Sequence, residues 1–151
     1  MTDLHPLIQR LKSEEGIKLC VYDDATGAYI RPGSRCEGNP TIGIGTNIGP
    51  GAGITETEAE YLLWNRLVLA GADAATLPAW HNLSDPRRLV LVDMVFNMGI
   101  KKVREFKLAL AAMAAGDYDS AANQMLNSDW ARQVKGRAIQ LARIMRTGVW
   151  E

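Results

Sequence analysis

Histidine and cysteine are scarce in this chain of 151 residues: His5 and His81 are the only histidines, Cys20 and Cys36 the only cysteines. They form no spaced ligand cluster, and neither histidine stands near a Ser or Cys nucleophile in sequence. Zinc chemistry and triad chemistry are therefore both disfavoured. Charge of one sign is also lacking, with 17 Lys+Arg against 17 Asp+Glu. No broad basic field exists to attract nucleic acid or an anionic membrane, so neither is expected as a partner. No run approaches the roughly 20 apolar residues of a membrane span, so no stable membrane insertion is expected. The opening Met-Thr-Asp-Leu-His-Pro lacks a basic segment followed by an apolar one, so no signal peptide is expected and synthesis is assigned to the cytoplasm. GxxxxGK[ST] is absent, and Gly43-Ile44-Gly45 is only a fragment of GxGxxG, so neither nucleotide nor metal cofactor is anticipated.

What is present is ordinary for a soluble globular protein, with 47% hydrophobic and 23% charged residues. The length predicts one domain, 1–151, that buries roughly 68–70% of its unfolded surface without disulfides or metal. Leu4, Leu7, Ile8 and Leu11 recur at helical spacing, and Glu15-Gly16 closes that helix. Residues 17–23 alternate, with Ile17, Leu19 and Val21 against Lys18, Cys20 and Tyr22, as in a half-buried strand. Turn signals at Thr26-Gly27, Arg31-Pro32-Gly33-Ser34 and Asn39-Pro40 precede a second strand from Thr41 to Gly45. A small antiparallel sheet with a long loop over 25–40 follows. The Gly-rich stretch 48–53 reads as a connector.

The remainder is helical. Thr55-Glu-Thr-Glu58 is a capping box opening a helix with Ala59, Leu62, Leu63 and Leu67 on one face. Ser84-Asp85-Pro86 caps a helix that is apolar nearly all round, from Leu89 to Phe96, and is expected to be the buried centre. Shorter helices are expected near 103–115, 118–127 and 136–146. The predicted class is α+β, a β lobe over about 16–52 and a helical lobe over about 53–151, with the N-terminal helix packed on the helical lobe and a cleft between lobes.

Two carboxylates, Glu15 and Asp24, lie nine positions apart, with Thr41 at the head of the glycine-rich strand. A proton donor, a base for water and a hydroxyl to orient that water are the parts needed to hydrolyse a glycosidic bond. Strand alternation places Tyr22 and Asp24 on one face and Asp23 on the other, and the nine-residue register from Glu15 selects Asp24 as the base. By default each is also explicable without chemistry: Glu15 as a solvated helix end, Asp24 as a turn cap, Thr41 as a β-former. Phe96 is by default core, and a core or staple position is expected for Trp64, Trp80, Trp130 and Trp150.

Glu14-Glu15-Gly16 through Tyr22-Asp23-Asp24, then Pro40-Thr41-Ile42-Gly43-Ile44-Gly45, resembles the start of the phage-type lysozymes (endolysins). The resemblance continues in Asp93 to Gly99, Phe106, Trp130, Arg137 and the closing Arg146-Thr-Gly-Val-Trp150, and so spans nearly the whole chain. It implies a lysozyme-like fold and cleavage of the β-1,4 bond between N-acetylmuramic acid and N-acetylglucosamine in peptidoglycan, for host cell lysis. Glu15 would be the general acid, Asp24 the water-activating carboxylate, Thr41 its partner. Phe96, Gln124 and Asn47 would contact substrate, and Tyr22 and Arg137 would give structural support, Arg137 falling where a buried arginine pairs with the catalytic Glu. A water-activating Asp implies inversion. A monomer is implied, acting on periplasmic peptidoglycan after release through a holin-like pore.

The chain departs from the family in four respects. Its Asp-to-Thr segment is long, Thr46 stands where many members carry His, Ala109 occupies a position that is often polar, and the net charge is zero. A lytic transglycosylase using Glu15 alone and a non-catalytic wall-binding module are the alternatives. Cys20 and Cys36 are expected as independent thiols, the alternative being a bond formed in an oxidising periplasm.

Overall fold

The computed structural model describes residues 3–150. The chain divides into two compact units, Met1–Ala59 and Glu60–Glu151. The first begins with α1 (His5–Glu15), with Pro in its first turn and Gly16 after its end. Three antiparallel strands follow, β1 (Lys18–Asp23), β2 (Pro40–Gly43) and β3 (Thr46–Asn47), in the order β1-β2-β3. Gly43 and Gly45 have φ of +70° and +73°. These values serve the tight reversal between β2 and β3, and account for the Gly-Ile-Gly pattern without a nucleotide.

The strand alternation expected over 17–23 is only partly realised. The register shifts between Lys18 and Tyr22, so a bulge interrupts the period of two. Ile17 and Leu19 are exposed, whereas Tyr22 and Asp23, adjacent in sequence, are both buried. Tyr22 also forms a single bridge to Tyr29, which starts the long loop back toward β2.

The helix α2 (Glu56–Ala74) begins in the first unit and continues into the second. Its predicted capping box is formed: the Glu58 carboxylate accepts from the Thr55 backbone N–H at 2.8 Å, and Thr55 Oγ1 accepts from the Glu58 N–H at 3.3 Å. The carboxyl of Glu58 is held below its usual range by the Thr55 N–H. The second unit then runs through a 3₁₀ turn at Trp80–Asn82, α3 (Asp85–Met98), α4 (Ile100–Val103), α5 (Lys107–Ala114), α6 (Tyr118–Leu126), α7 (Asp129–Val134) and α8 (Gly136–Thr147). Two of these, α4 and α7, are too short to leave a periodic signature and were not anticipated.

The core of this unit is built on methionine and alanine. Met94, Met113, Met125 and Met145 are fully buried, with Leu77, Leu91, Val90 and Val103. Ala109, Ala121, Ala122, Ala138 and Ala142 lie among them, on α5, α6 and α8. Small residues let α6 approach α5 and α8, and the unbranched thioethers fill the irregular gaps that remain. Each such large side chain contributes about 1.5–3 kcal/mol by leaving water. The expectation of an all-round buried α3 needs correction. Val90, Leu91, Met94 and Val95 are buried, but Leu89 and Phe96 stand off that stripe and are exposed. Apolar residues outnumber the positions on one helix face, and the surplus is left outside.

The C-terminus of α8 gives a structural reason for the sequence Arg146-Thr147-Gly148. Gly148 adopts φ +73° and its N–H donates to the Ile144 carbonyl at 2.8 Å. Arg87 donates to the Met145 and Arg146 carbonyls at 2.7 and 3.1 Å and lies 3.6 Å from the Tyr118 ring centre. A Cβ at position 148 would meet that guanidinium at 2.7 Å.

Candidate active site

The end of α1 and the three strands enclose a pocket of about 360 Å³ lined by Glu15, Lys18, Tyr22, Asp24, Gly27, Thr41, Gly45 and Asn47. Its construction follows from strand register. Tyr22 pairs with Thr41 across β1 and β2, and Thr41 pairs with Asn47 across β2 and β3. The three side chains form one row across the sheet, because paired positions point to the same face. Glu15 enters as the last residue of α1 and Asp24 as the first residue beyond β1.

The neighbouring carboxylates have different surroundings. Asp23 is buried and turns into the long loop. Its Oδ2 accepts from the Glu37 N–H at 2.7 Å, and its Oδ1 accepts from the Gly38 and Ala25 N–H groups, each at 3.0 Å. Those donors, Glu37 first, hold its carboxyl below the ordinary range against the opposing effect of burial. Asp24 is exposed and faces the pocket. Its Oδ1 accepts from the Asn39 N–H at 2.7 Å and its Oδ2 from the Asn39 side-chain amide at 3.1 Å. These bonds lower its pKa, while burial and the charge of Asp23 act the other way.

Thr41 is buried, and its hydroxyl donates to the Asn39 carbonyl at 3.1 Å. Asn47 Oδ1 accepts from the Gly49 N–H at 2.7 Å, fixing the rim after β3. Lys18 lies over the Tyr22 ring at 4.1 Å and donates to the Gly27 carbonyl at 3.0 Å. Both cysteines are free, Cys20 exposed and Cys36 half-buried. The Cys36 thiol donates to the Gly38 carbonyl at 3.4 Å, and burial, with Asp23 and Asp24 nearby, pushes its pKa up. Among the described residues, no group of three or more His, Cys, Asp or Glu could hold a metal ion.

The remaining site residues expected from sequence lie in the second unit. Gln124 lines a groove of about 510 Å³ there, together with Ala109, Asn97, Phe106 and Trp130. Trp130 donates its indole N–H to Asn97 Oδ1 at 2.9 Å and meets Phe106 edge-on at 6.1 Å. Phe96 is exposed on α3. Arg137 forms two hydrogen bonds to Asp93, a partner that sequence reading did not assign to it.

Lys18 and Asn39 were also missed. Lys18 alternates with Tyr22 in the sequence, but the register shift between them removes that alternation as a guide to its face. Asn39 carries only the signature of a turn residue before Pro40, and nothing in a sequence says where a loop of this length returns.

An α+β chain with a helix-end Glu, a strand-end Asp and a strand Thr on one pocket is of the lysozyme-like class. Residues 12–146 match the family described as phage lysozyme, and the chain belongs to that family. It is 31% identical to the pre-baseplate central spike protein Gp5 of Enterobacteria phage T4 over 179 aligned positions, covering 97% of this chain and 29% of that protein. The chain thus spans less than a third of the spike protein's length. It is also 28% and 26% identical to probable T4-type lysozymes 1 and 2 of Dictyostelium discoideum, in each case over 91% of this chain and 92% of the relative. No helix among the described residues is long and apolar enough to cross a membrane.

Proposed function

We propose that the chain is a muramidase that hydrolyses the β-1,4 bond between N-acetylmuramic acid and N-acetylglucosamine in peptidoglycan. The observation that carries this reading is the single pocket shared by Glu15, Asp24 and Thr41, in which the Asn39 donors hold the Asp24 carboxyl below its ordinary range. Glu15 donates its proton to the leaving glycosidic oxygen as the bond to the anomeric carbon breaks. A water held by Asp24 and Thr41 attacks that carbon from the opposite face and gives its proton to Asp24. The configuration inverts, as for carboxyls about 6.5–9.5 Å apart with room for a water. No metal or other cofactor enters the scheme.

Phe96, Gln124 and Asn47 are proposed to contact the glycan, and Tyr22 to support the sheet face below it. The 1–151 chain acts as one catalytic domain and as a monomer. Its substrate is periplasmic peptidoglycan, reached through a holin-like pore during host lysis.

Glu15→Gln tests the scheme, because the amide keeps shape and hydrogen bonding but cannot give up a proton. Loss of about 10²–10⁴-fold in turbidity clearance of permeabilised Gram-negative cells is expected, with melting unchanged. A variant that keeps wild-type clearance removes Glu15 as the acid. Mass spectrometry of the products distinguishes a reducing muramic acid end from the 1,6-anhydro end of a lytic transglycosylase. An ionised Asp24 beside Thr41 favours the former.

A further inference from the structure

Asn39 touches both groups assigned to the attacking water. Its backbone N–H and side-chain amide each donate to one oxygen of Asp24, at 2.7 and 3.1 Å. Its carbonyl accepts from the Asp24 N–H and from the Thr41 hydroxyl, both at 3.1 Å. We propose that Asn39 is a positioning residue for the hydrolytic reaction: it clamps the Asp24 carboxylate in one orientation and fixes Thr41 as a hydrogen-bond acceptor toward the attacking water. The inference rests on the muramidase reading given above.

The polarity follows from counting protons. A threonine hydroxyl has one proton and two lone pairs. The Thr41 proton is spent on the Asn39 carbonyl, so toward the pocket Oγ1 can only accept. An ionised Asp24 also only accepts. A water between them must donate both its protons, one to Asp24 and one to Thr41, which turns its oxygen lone pair outward toward an electrophile. That is the orientation a nucleophilic water needs, and it takes no step of reorganisation at the moment of attack.

The clamp has its own foundation. Asp23, the carboxylate that does not face the pocket, gathers the N–H groups of Glu37 and Gly38 and so pins the end of the long loop directly before Asn39. A Cβ at Gly38 would run into Asp24 Oδ1 and come within 2.8 Å of the Ala25 Cβ. The loop can therefore bring Asn39 to Asp24 only with glycine at that step. Of two consecutive aspartates, one holds the loop and the other is held by it. The titratable groups around Asp24 are Asp23 at the end of β1, Cys36 in the loop, and Glu15, Lys18 and Tyr22 in the pocket. The two Asn39 donors oppose the charge of Asp23 and favour the ionised form of Asp24.

The test is a carbon-13 NMR titration of the Asp24 carboxyl in the full chain, as wild type, Asn39→Ala and Asn39→Asp, beside a pH–rate profile for peptidoglycan hydrolysis. Asn39 is exposed, so both variants should fold, with melting lowered by no more than the weakened Asp24 contact. The Asp24 titration should move to higher pH in Asn39→Ala and further in Asn39→Asp, where a second carboxylate replaces the donor. The acid limb of the rate profile should follow in the same order. In Asn39→Ala, kcat should fall about tenfold, the size of one hydrogen bond to a charged group, with KM little changed. An Asp24 titration that does not move in either variant overturns the proposal. A titration that moves while the rate profile stays fixed overturns Asp24 as the base, and with it the reading beneath, so the two failures are separable.

Discussion

Arg137 on α8 is held by Asp93 on α3 through two hydrogen bonds, Nε to Oδ1 at 3.0 Å and Nη2 to Oδ2 at 2.9 Å. The planar guanidinium meets both carboxylate oxygens, the geometry in which an arginine pair is strongest. Both side chains are partly solvated, at 40% and 25% exposure, so the energy is discounted toward that of a surface pair. A double-mutant cycle with Asp93→Ala and Arg137→Ala should give a coupling of about 1 kcal/mol in thermal or denaturant unfolding. A coupling near zero would show that α3 and α8 are tied by their apolar contacts alone.

Asp23 and Asp24 should give opposite phenotypes. Asp24→Asn should lose hydrolysis with a smaller fall in melting temperature than Asp23→Asn, since its carboxylate is exposed and its described hydrogen bonds come from Asn39. Asp23→Asn should lower the melting temperature and speed amide exchange at Glu37 and Gly38, because it removes charge from a buried acceptor of three N–H groups. If Asp23→Asn loses hydrolysis and Asp24→Asn remains active, the roles are reversed.

Stability should fall at acid pH with a sign fixed by the same groups. Asp23, Asp24 and Asp117 are all held below the ordinary Asp value of 3.8, Asp117 chiefly by Ser120 at the start of α6. Above 3.8 these carboxyls are ionised in both folded and unfolded chains, and the stabilisation is fully present. Below it the unfolded chain takes up protons first, and the stabilisation is lost until the folded groups titrate in turn. Melting temperature should therefore be flat near neutrality and drop below about pH 4. Asp23→Asn should drop less steeply over that range.

Trp130 contributes both a ring and a donor to the groove of the second unit. Trp130→Phe keeps an aromatic edge near Phe106 but gives up the bond to Asn97, and should cost about 1 kcal/mol. Trp130→Ala leaves a cavity and should cost about 3–5 kcal/mol. Equal costs for the two, read from denaturant unfolding, would mean that the indole N–H, not the ring, carries the stability.

How much of this was legible beforehand depended on the range of the interaction. The α1 helix, the capping box at Thr55 and the face shared by Tyr22 and Asp24 are set by neighbours a few positions apart, and local periodicity and turn chemistry report them, whereas the strand expected over Thr41 to Gly45 ends at Gly43 and reverses into β3. The position of Glu15, Asp24 and Thr41 within a family pattern was also a property of order along the chain. What the sequence could not state was which groups meet across long separations: Asp23 with Glu37 and Gly38, Asn39 with Asp24, Arg137 with Asp93. Nor could it say which apolar residues of α3 would be left outside the core, Phe96 among them. Those outcomes depend on loop return, strand register and the available burial area, where many arrangements share one local pattern and packing and hydrogen-bond satisfaction select among them.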